Sequence, residues 1–245
     1  MSIPTSPAEV PARVRELAGA ARLEPVWAND YGGLTFRATP TTGDSFHIKW
    51  GPRQDESNML DEAERMRWAG RWIRVPEVLD QGQDAGHEWL VTATIDGESA
   101  VHRHWRERPE VAVRAVGEGL RALHDALPVD DCQWDWGVDA RIANAARRGI
   151  RLPEGFRDAP PIDRLVVCHA DACCPNTLVD DDGRWLAHVD LGLLGVGDRW
   201  ADIAVASMST EWNYGPGWED ALIGAYGLEP DRERLAYYRD LWNAT

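Results

Sequence analysis

Three side chains in the second half of the chain stand at spacings suited to chemistry on a phosphate. In Val166-Val167-Cys168-His169-Ala170-Asp171-Ala172-Cys173-Cys174-Pro175-Asn176 an aspartate is followed five residues later by an asparagine. Val189-Asp190-Leu191-Gly192 then supplies a second aspartate ahead of a glycine. Moving a phosphoryl group from a nucleotide requires a carboxylate near the acceptor hydroxyl, oxygen ligands for magnesium, and a cation on the donor phosphates. Asp171 suits the first role, and Asn176 and Asp190 suit the second. Any one of them alone is an ordinary turn-forming loop residue. The ordered set, each member closing a short apolar run, carries the reading.

The cation is expected upstream. Lys49, in His47-Ile48-Lys49-Trp50, is the only lysine among 26 lysines and arginines, and it sits on an apolar run that should be an interior strand. Asp171 with Asn176, followed by Asp190 before a glycine, matches the order of the catalytic and metal loops of protein kinases, where a strand lysine is braced by a glutamate on the next helix. Glu62 and Glu64 compete for that place. Glu62 shares a helical face with Met59 and Met66, whereas Glu64 lies about 200° away at about 100° per residue, so Glu62 is the expected partner. The glycine-rich phosphate loop of protein kinases is absent; Gly32-Gly33 marks a turn between the first two strands.

Around these residues the hydrophobic period changes along the chain. Ala8 to Ala20 has helical spacing at Val10, Val14 and Leu17, with a break at Pro25. Val26 to Asp30, Leu34 to Ala38 and Ser45 to Trp50 read as a three-strand meander. Asp55 to Arg71 should be an amphipathic helix. Val75 to Asp80 and Glu88 to Ala93 follow as two strands about a Gln81-Gly82 turn, completing a five-strand sheet that carries one long helix. Thr94-Ile95-Asp96-Gly97-Glu98 suits a hinge. Pro109 opens a helix through Leu127, and helices are expected again at Trp200 to Met208, Gly217 to Tyr226 and Asp231 to Trp242. Short strands at Leu165 to His169, Thr177 to Asp180 and Arg184 to Val189 interrupt this helical half. The fold class is α+β, divided into 1–93, a hinge at 94–99, and 100–245.

Composition narrows the partners. The formal charge of −15 over 245 residues repels nucleic acid and anionic membrane surfaces and suits a cationic ligand. No stretch approaches the roughly 20 apolar residues of a membrane span, and no signal core opens the chain, so a cytoplasmic location is expected. The four cysteines, Cys132, Cys168, Cys173 and Cys174, are expected to be free thiols. His169, Cys173 and Cys174 lie close in sequence but lack the paired spacing of a zinc site. The 13 tryptophans fall singly at apolar positions and read as packing.

With these motifs the chain resembles the aminoglycoside 3′-phosphotransferases, bacterial resistance enzymes with a two-lobed protein-kinase-like fold. The resemblance runs from about Trp27 to Trp242. It is strongest over Val167 to Asn176, in Asp190-Leu191-Gly192 with Gly195 to Asp202, and from Gly227-Leu228 to Tyr237-Tyr238-Arg239. It implies phosphorylation of an aminoglycoside hydroxyl, most directly the 3′-hydroxyl, with ATP or GTP as donor. Asp171 would be the catalytic carboxylate, Asn176 and Asp190 the Mg2+ ligands, and Lys49 the phosphate contact braced by Glu62. The backbone at Thr92, Ala93, Thr94 and Ile95 would hold the base, and Glu211, Glu219 and Asp220 are the candidate carboxylates for the cationic substrate. Two positions depart from the family. Its His-Gly-Asp reads His169-Ala170-Asp171, and Leu193 stands where an arginine often follows Asp-Leu-Gly. A kinase of another small alcohol (choline, homoserine, a sugar or a macrolide) and a non-catalytic pseudokinase are the alternatives on the same fold.

Overall fold

The computed structural model describes residues 9–29, 32–53 and 58–245. The expected starts at Ala8 and Asp55 and the strand end at Asp30 lie outside the described residues. The chain forms two compact units, Met1–Arg71 with Val75–Ile95, and Trp72–Arg74 with Asp96–Thr245.

The first unit holds α1 (Ala12–Ala18), β1 (Arg22–Ala28), β2 (Leu34–Thr39), β3 (Phe46–Pro52), α2 (Met59–Ala69), β4 (Val78–Gln83) and β5 (His87–Ala93). The strands form one antiparallel sheet in the order β1-β2-β3-β5-β4. Its core gathers Phe36, Ala38, Ile48 and Val91 against Val14 and Ala18 of α1. Alternation along β3 sends Ile48 into that cluster and therefore turns Lys49 to the opposite face.

Two sequence expectations are corrected here. Pro25 does not mark a break but lies inside β1, an edge strand where a missing N–H costs no inner ladder bond. Gln81 and Gly82 are not a turn; both belong to β4, and the chain reverses at 84–86. A Cβ on Gly82 would stand 2.3 Å from the Trp89 ring across the ladder, so the glycine serves close packing rather than chain reversal.

The second unit contains β6 (Glu98–Ser99), α3 (Arg103–Arg106), α4 (Pro109–Ala126), α5 (Val138–Arg147), β7 (Leu165–Cys168), β8 (Thr177–Val179), β9 (Trp185–His188) and β10 (Gly195–Asp198). It ends with α6 (Arg199–Tyr214), α7 (Glu219–Tyr226) and α8 (Arg232–Ala244). Its core packs Val113, Val116 and Leu120 of α4 with Val166, Ile203, Leu222 and Leu241. The short sheets β10-β7 and β6-β8-β9 carry the loops of interest. The strand β10 is hidden in sequence by its glycines. Gly195 and Gly197 lie against the backbone of Trp134 to Trp136, where a Cβ would meet backbone atoms at 3.1–3.2 Å. Helix α6 runs on past Met208 to Tyr214, with the Ser207 hydroxyl donating to the Ala204 carbonyl and the Thr210 hydroxyl to the Ser207 carbonyl. Among the described residues no helix is long and apolar enough to cross a membrane, and all four cysteines are free.

Candidate active site

In the first unit, α2 is bolted to the sheet at its first turn. The buried Glu88 carboxylate of β5 accepts the Met59 N–H at 2.7 Å, and the Asn58 side chain accepts the Asp61 N–H at 2.7 Å. These caps satisfy N–H groups that a helix start leaves without partners. They also fix the rotation of α2, so that Glu62 faces inward at 4% exposure while Glu64 is exposed. Glu62 Oε2 accepts from Lys49 Nζ at 2.7 Å. The pair is thus held by two regular elements, a strand and a helix.

Thr92 and Ala93 end β5, and Thr94 and Ile95 follow, all half-buried. Two of their backbone donors are already engaged, the Ala93 N–H by the Glu77 carbonyl at 2.9 Å and the Thr94 N–H by the Ser45 carbonyl at 3.1 Å. The Thr94 hydroxyl lies 3.2 Å from His47 Nδ1. Burial, then the nearby Arg37, pushes the His47 imidazole down to about 4, so at neutral pH the ring is uncharged.

In the second unit the candidate residues Asp171, Asn176 and Asp190 sit on loops or short turns beside β7, β8 and β9. Asp198 caps α6 by accepting the Trp200 N–H at 2.9 Å, which delivers Asp202 one turn into the helix. The fully buried Asp202 carboxylate accepts the His169 N–H at 2.6 Å, the Ala170 N–H at 2.9 Å and His124 Nε2–H at 3.0 Å. Burial alone would raise this carboxyl, but the hydrogen bond and charge of His124, His169 and the backbone donors outweigh it and hold it below the ordinary range. His124 is tied in turn to the Tyr226 hydroxyl at 2.8 Å. Ligand-capable atoms of His124, Cys168 and Asp202 lie within 4.8 Å of one another. The three N–H donors already on Asp202 make this a hydrogen-bonded anchor.

Above that anchor, Ala170 adopts φ 68 and Asp190 φ 62, the left-handed conformation that non-glycine residues rarely take. The Asn176 Nδ2–H group donates to the Asp171 carbonyl at 2.9 Å and to Asp171 Oδ2 at 3.1 Å. With its nitrogen so committed, the Asn176 amide offers its oxygen to a cation. The Asp171 carboxyl is raised, first by burial and then by the like charge of Asp190. A carboxylate and an amide oxygen, the groups that Asp190 and Asn176 offer, are hard donors of the kind a divalent cation such as Mg2+ takes.

Glu211, Glu219 and Asp220 gather elsewhere. With Ser207, Thr210, Trp218, Arg232 and Arg239 they line a cavity of about 310 Å3. On α6, Thr210, Ser207 and Glu211 stand about 80°, 140° and 180° around the helix from Asp202 at about 100° per residue. Arg232 pairs with Glu219 and, at 2.6 Å, with Asp220, while Arg239 pairs with Glu219 and donates to Ser207 Oγ at 2.8 Å.

The sequence reading did not single out Asp202, His124, Tyr226 or Glu88. Asp202 carried a usable signal, an acid flanked by Ala201 and Ile203-Ala204-Val205, since charged residues are rarely fully buried without a paired role. Glu88 and His124 carried none, because their partners lie 29 and 78 residues away.

Residues 27–238 match the profile of the Phosphotransferase enzyme family. An aminoglycoside 3′-phosphotransferase of Streptomyces fradiae is 35% identical, over 86% of this chain and 90% of its own length. A crystal structure of an aminoglycoside 3′-phosphotransferase of type VIII superposes with a TM-score of 0.77 at 28% identity, covering 95% of this chain and 97% of the other. An aminoglycoside phosphotransferase from Streptomyces rimosus, solved with ADP and streptomycin, gives 0.70 at 27% identity, with coverage of 95% and 96%.

Proposed function

Since this chain belongs to the phosphotransferase enzyme family, we propose that it phosphorylates a hydroxyl of an aminoglycoside, the 3′-hydroxyl first, with ATP or GTP as donor. The observation that carries this reading is the half-buried Asp171 carboxylate, raised by the like charge of Asp190 and bound by Asn176, on a loop anchored by Asp202.

In this reading Asp171 orients the acceptor hydroxyl and takes its proton as the new P–O bond forms, late in a loose transition state. A raised carboxyl is a better proton acceptor than an exposed one, provided it stays ionised at working pH. Lys49 holds the donor phosphates as a point charge, and Glu62 keeps its ammonium from wandering. Asn176 and Asp190 would hold Mg2+, which supplies neutralisation of phosphate charge. Residues 1–93 form the nucleotide lobe, 94–99 the hinge with the base held along Thr92 to Ile95, and 100–245 the catalytic and substrate lobe. A cytoplasmic location belongs to the same reading, because the donor and the free thiols both fit that compartment.

Glu211, Glu219 and Asp220 are the proposed carboxylates for the substrate ammonium groups. Arg232 and Arg239 already share two of them, so a cationic ligand must displace or share those arginines. Neutralising all three acids should raise the aminoglycoside KM by no more than several-fold, and an unchanged KM would place the ammonium groups elsewhere.

The decisive experiment incubates the purified protein with Mg-ATP and kanamycin, neomycin, streptomycin, a macrolide or choline, and follows nucleoside diphosphate release. Turnover with kanamycin or neomycin, and phosphorus NMR placing the new ester at the 3′ position, is the expected result. Turnover with choline or the macrolide alone would move the acceptor to another small alcohol, and none with any acceptor would leave a non-catalytic protein.

A further inference from the structure

The two arginines that line the cavity beside Glu211 are held to very different degrees. Arg239 Nη2 donates to the buried Ser207 Oγ at 2.8 Å and also pairs with Glu219, and its side chain is 29% exposed. Arg232 pairs with Glu219 and, at 2.6 Å, with Asp220, from a side chain that is 58% exposed; the Asp220 side chain is 64% exposed. An ion pair so exposed contributes little, because water and salt screen it and a long side chain must be kept in one geometry. Arg232 can therefore leave its acids easily, whereas Arg239 is tethered by a buried hydroxyl.

The acids of the cavity then fall into two kinds. Glu219 and Asp220 are covered by arginine, and Glu211, on the wall of the same cavity, is the acid that no arginine pairs among the described residues. A first ammonium group can settle on Glu211 and displace nothing. A second must reach Asp220, and Arg232 stands there with a planar fork that meets two carboxylates at once. Affinity for a ligand with several ammonium groups is then reduced by whatever free energy holds Arg232 in place.

We propose that Arg232 is an internal competitor for substrate ammonium groups, covering Asp220 until a polyammonium ligand displaces it, while Glu211 receives the first ammonium group unopposed. The inference rests on the substrate role given above to Glu211, Glu219 and Asp220.

Arg232→Gln removes the competing charge. In NMR titrations this variant should bind kanamycin about fivefold more tightly than the parent, the most that one exposed ion pair contributes. Choline, with a single ammonium group, should bind as it does to the parent. The gain should shrink in an Asp220→Asn background, where Arg232 has only Glu219 to cover. Arg103→Gln removes the same charge from an exposed pair with Glu107 in α3 and should leave kanamycin binding unchanged. Unchanged or weaker kanamycin binding by folded Arg232→Gln protein, an equal gain for choline or in Arg103→Gln, or a gain undiminished by Asp220→Asn overturns the proposal. Should the glutamine variant not fold, Arg232→Lys keeps the charge and loses the fork; it should tighten kanamycin binding about twofold, and no gain there overturns the proposal. A parent protein that binds kanamycin yet transfers no phosphate to it would defeat the functional reading alone, since the binding comparison still judges the competitor. Kanamycin bound by neither parent nor variant would overturn the competitor itself.

Discussion

Lys49 with Glu62 and Asp171 with Asp190 are positioned in opposite ways. The first pair rides on β3 and α2, elements whose geometry follows from their own hydrophobic periods, and its members meet as opposite charges. The second pair consists of like charges on loops, held by backbone-directed bonds from Asp202 and His169 and by left-handed backbone at Ala170 and Asp190. A pair built on regular elements needs one correct register. A pair built on loops needs an anchor, and the anchor comes from residues distant in sequence.

The comparison breaks most sharply at Asp171. Asp171→Asn keeps the shape of the side chain and removes its charge and basicity, so kcat should fall about 10²-fold or more. Nucleotide binding by calorimetric titration should persist. Near-normal turnover in a folded variant would remove Asp171 from the mechanism.

Loss of the anchor should appear in stability instead. Asp202→Asn leaves an amide that cannot accept all three N–H donors, at a cost of about 2 kcal/mol. The pH dependence has a definite sign. The folded carboxyl of Asp202 lies below its ordinary value, so its contribution is complete above about pH 4 and is lost as pH falls toward the folded value. The parent should therefore lose melting temperature more steeply than the asparagine variant below about pH 4. Parallel acid limbs in calorimetry would show that Asp202 does not carry this linkage.

The regular-element pair should yield a smaller effect. Lys49→Ala should weaken nucleotide binding and lower kcat, and Glu62→Ala should do the same more mildly. Because each member is held by the other, the losses should overlap in a double-mutant cycle by about 1 kcal/mol. Fully additive losses would mean that the 2.7 Å contact contributes nothing to nucleotide handling.

The smallest change tests the strain on the loop side. Ala170 is buried at φ 68, and replacement by glycine removes the Cβ from a left-handed residue. Ala170→Gly should stabilise the protein by about 1 kcal/mol, less the entropy that glycine returns to the unfolded chain. A lower melting temperature would mean that the methyl group packs usefully enough to outweigh its conformation.

Much of this arrangement is legible in residue order. Strand alternation places Lys49 opposite Ile48, and helical phase chooses Glu62 over Glu64, because both depend on periods of a few residues. The Gln81-Gly82 turn misled because glycine has two uses, chain reversal and close approach, and the Trp89 ring that decides between them comes from the neighbouring strand. The strand at Gly195–Asp198 escaped notice for the same reason, its glycines answering to the backbone of Trp134 to Trp136.

The amino-acid sequence by itself determined most of the longer elements, the order of the chemical residues, the single lysine and the acidic balance that points to a cationic ligand. These depend on local spacing and on composition, which need no partner to express them. Tertiary structure alone decided that Asp202 holds the backbone beneath Asp171, that His169 spans to Val189, and that Ala170 and Asp190 are left-handed. It also decided that Glu219 and Asp220 meet arginines. Each of these is a contact between segments brought together by packing of the core, where the identity of a hydrogen-bond partner follows from three-dimensional proximity and leaves no periodic trace along the chain.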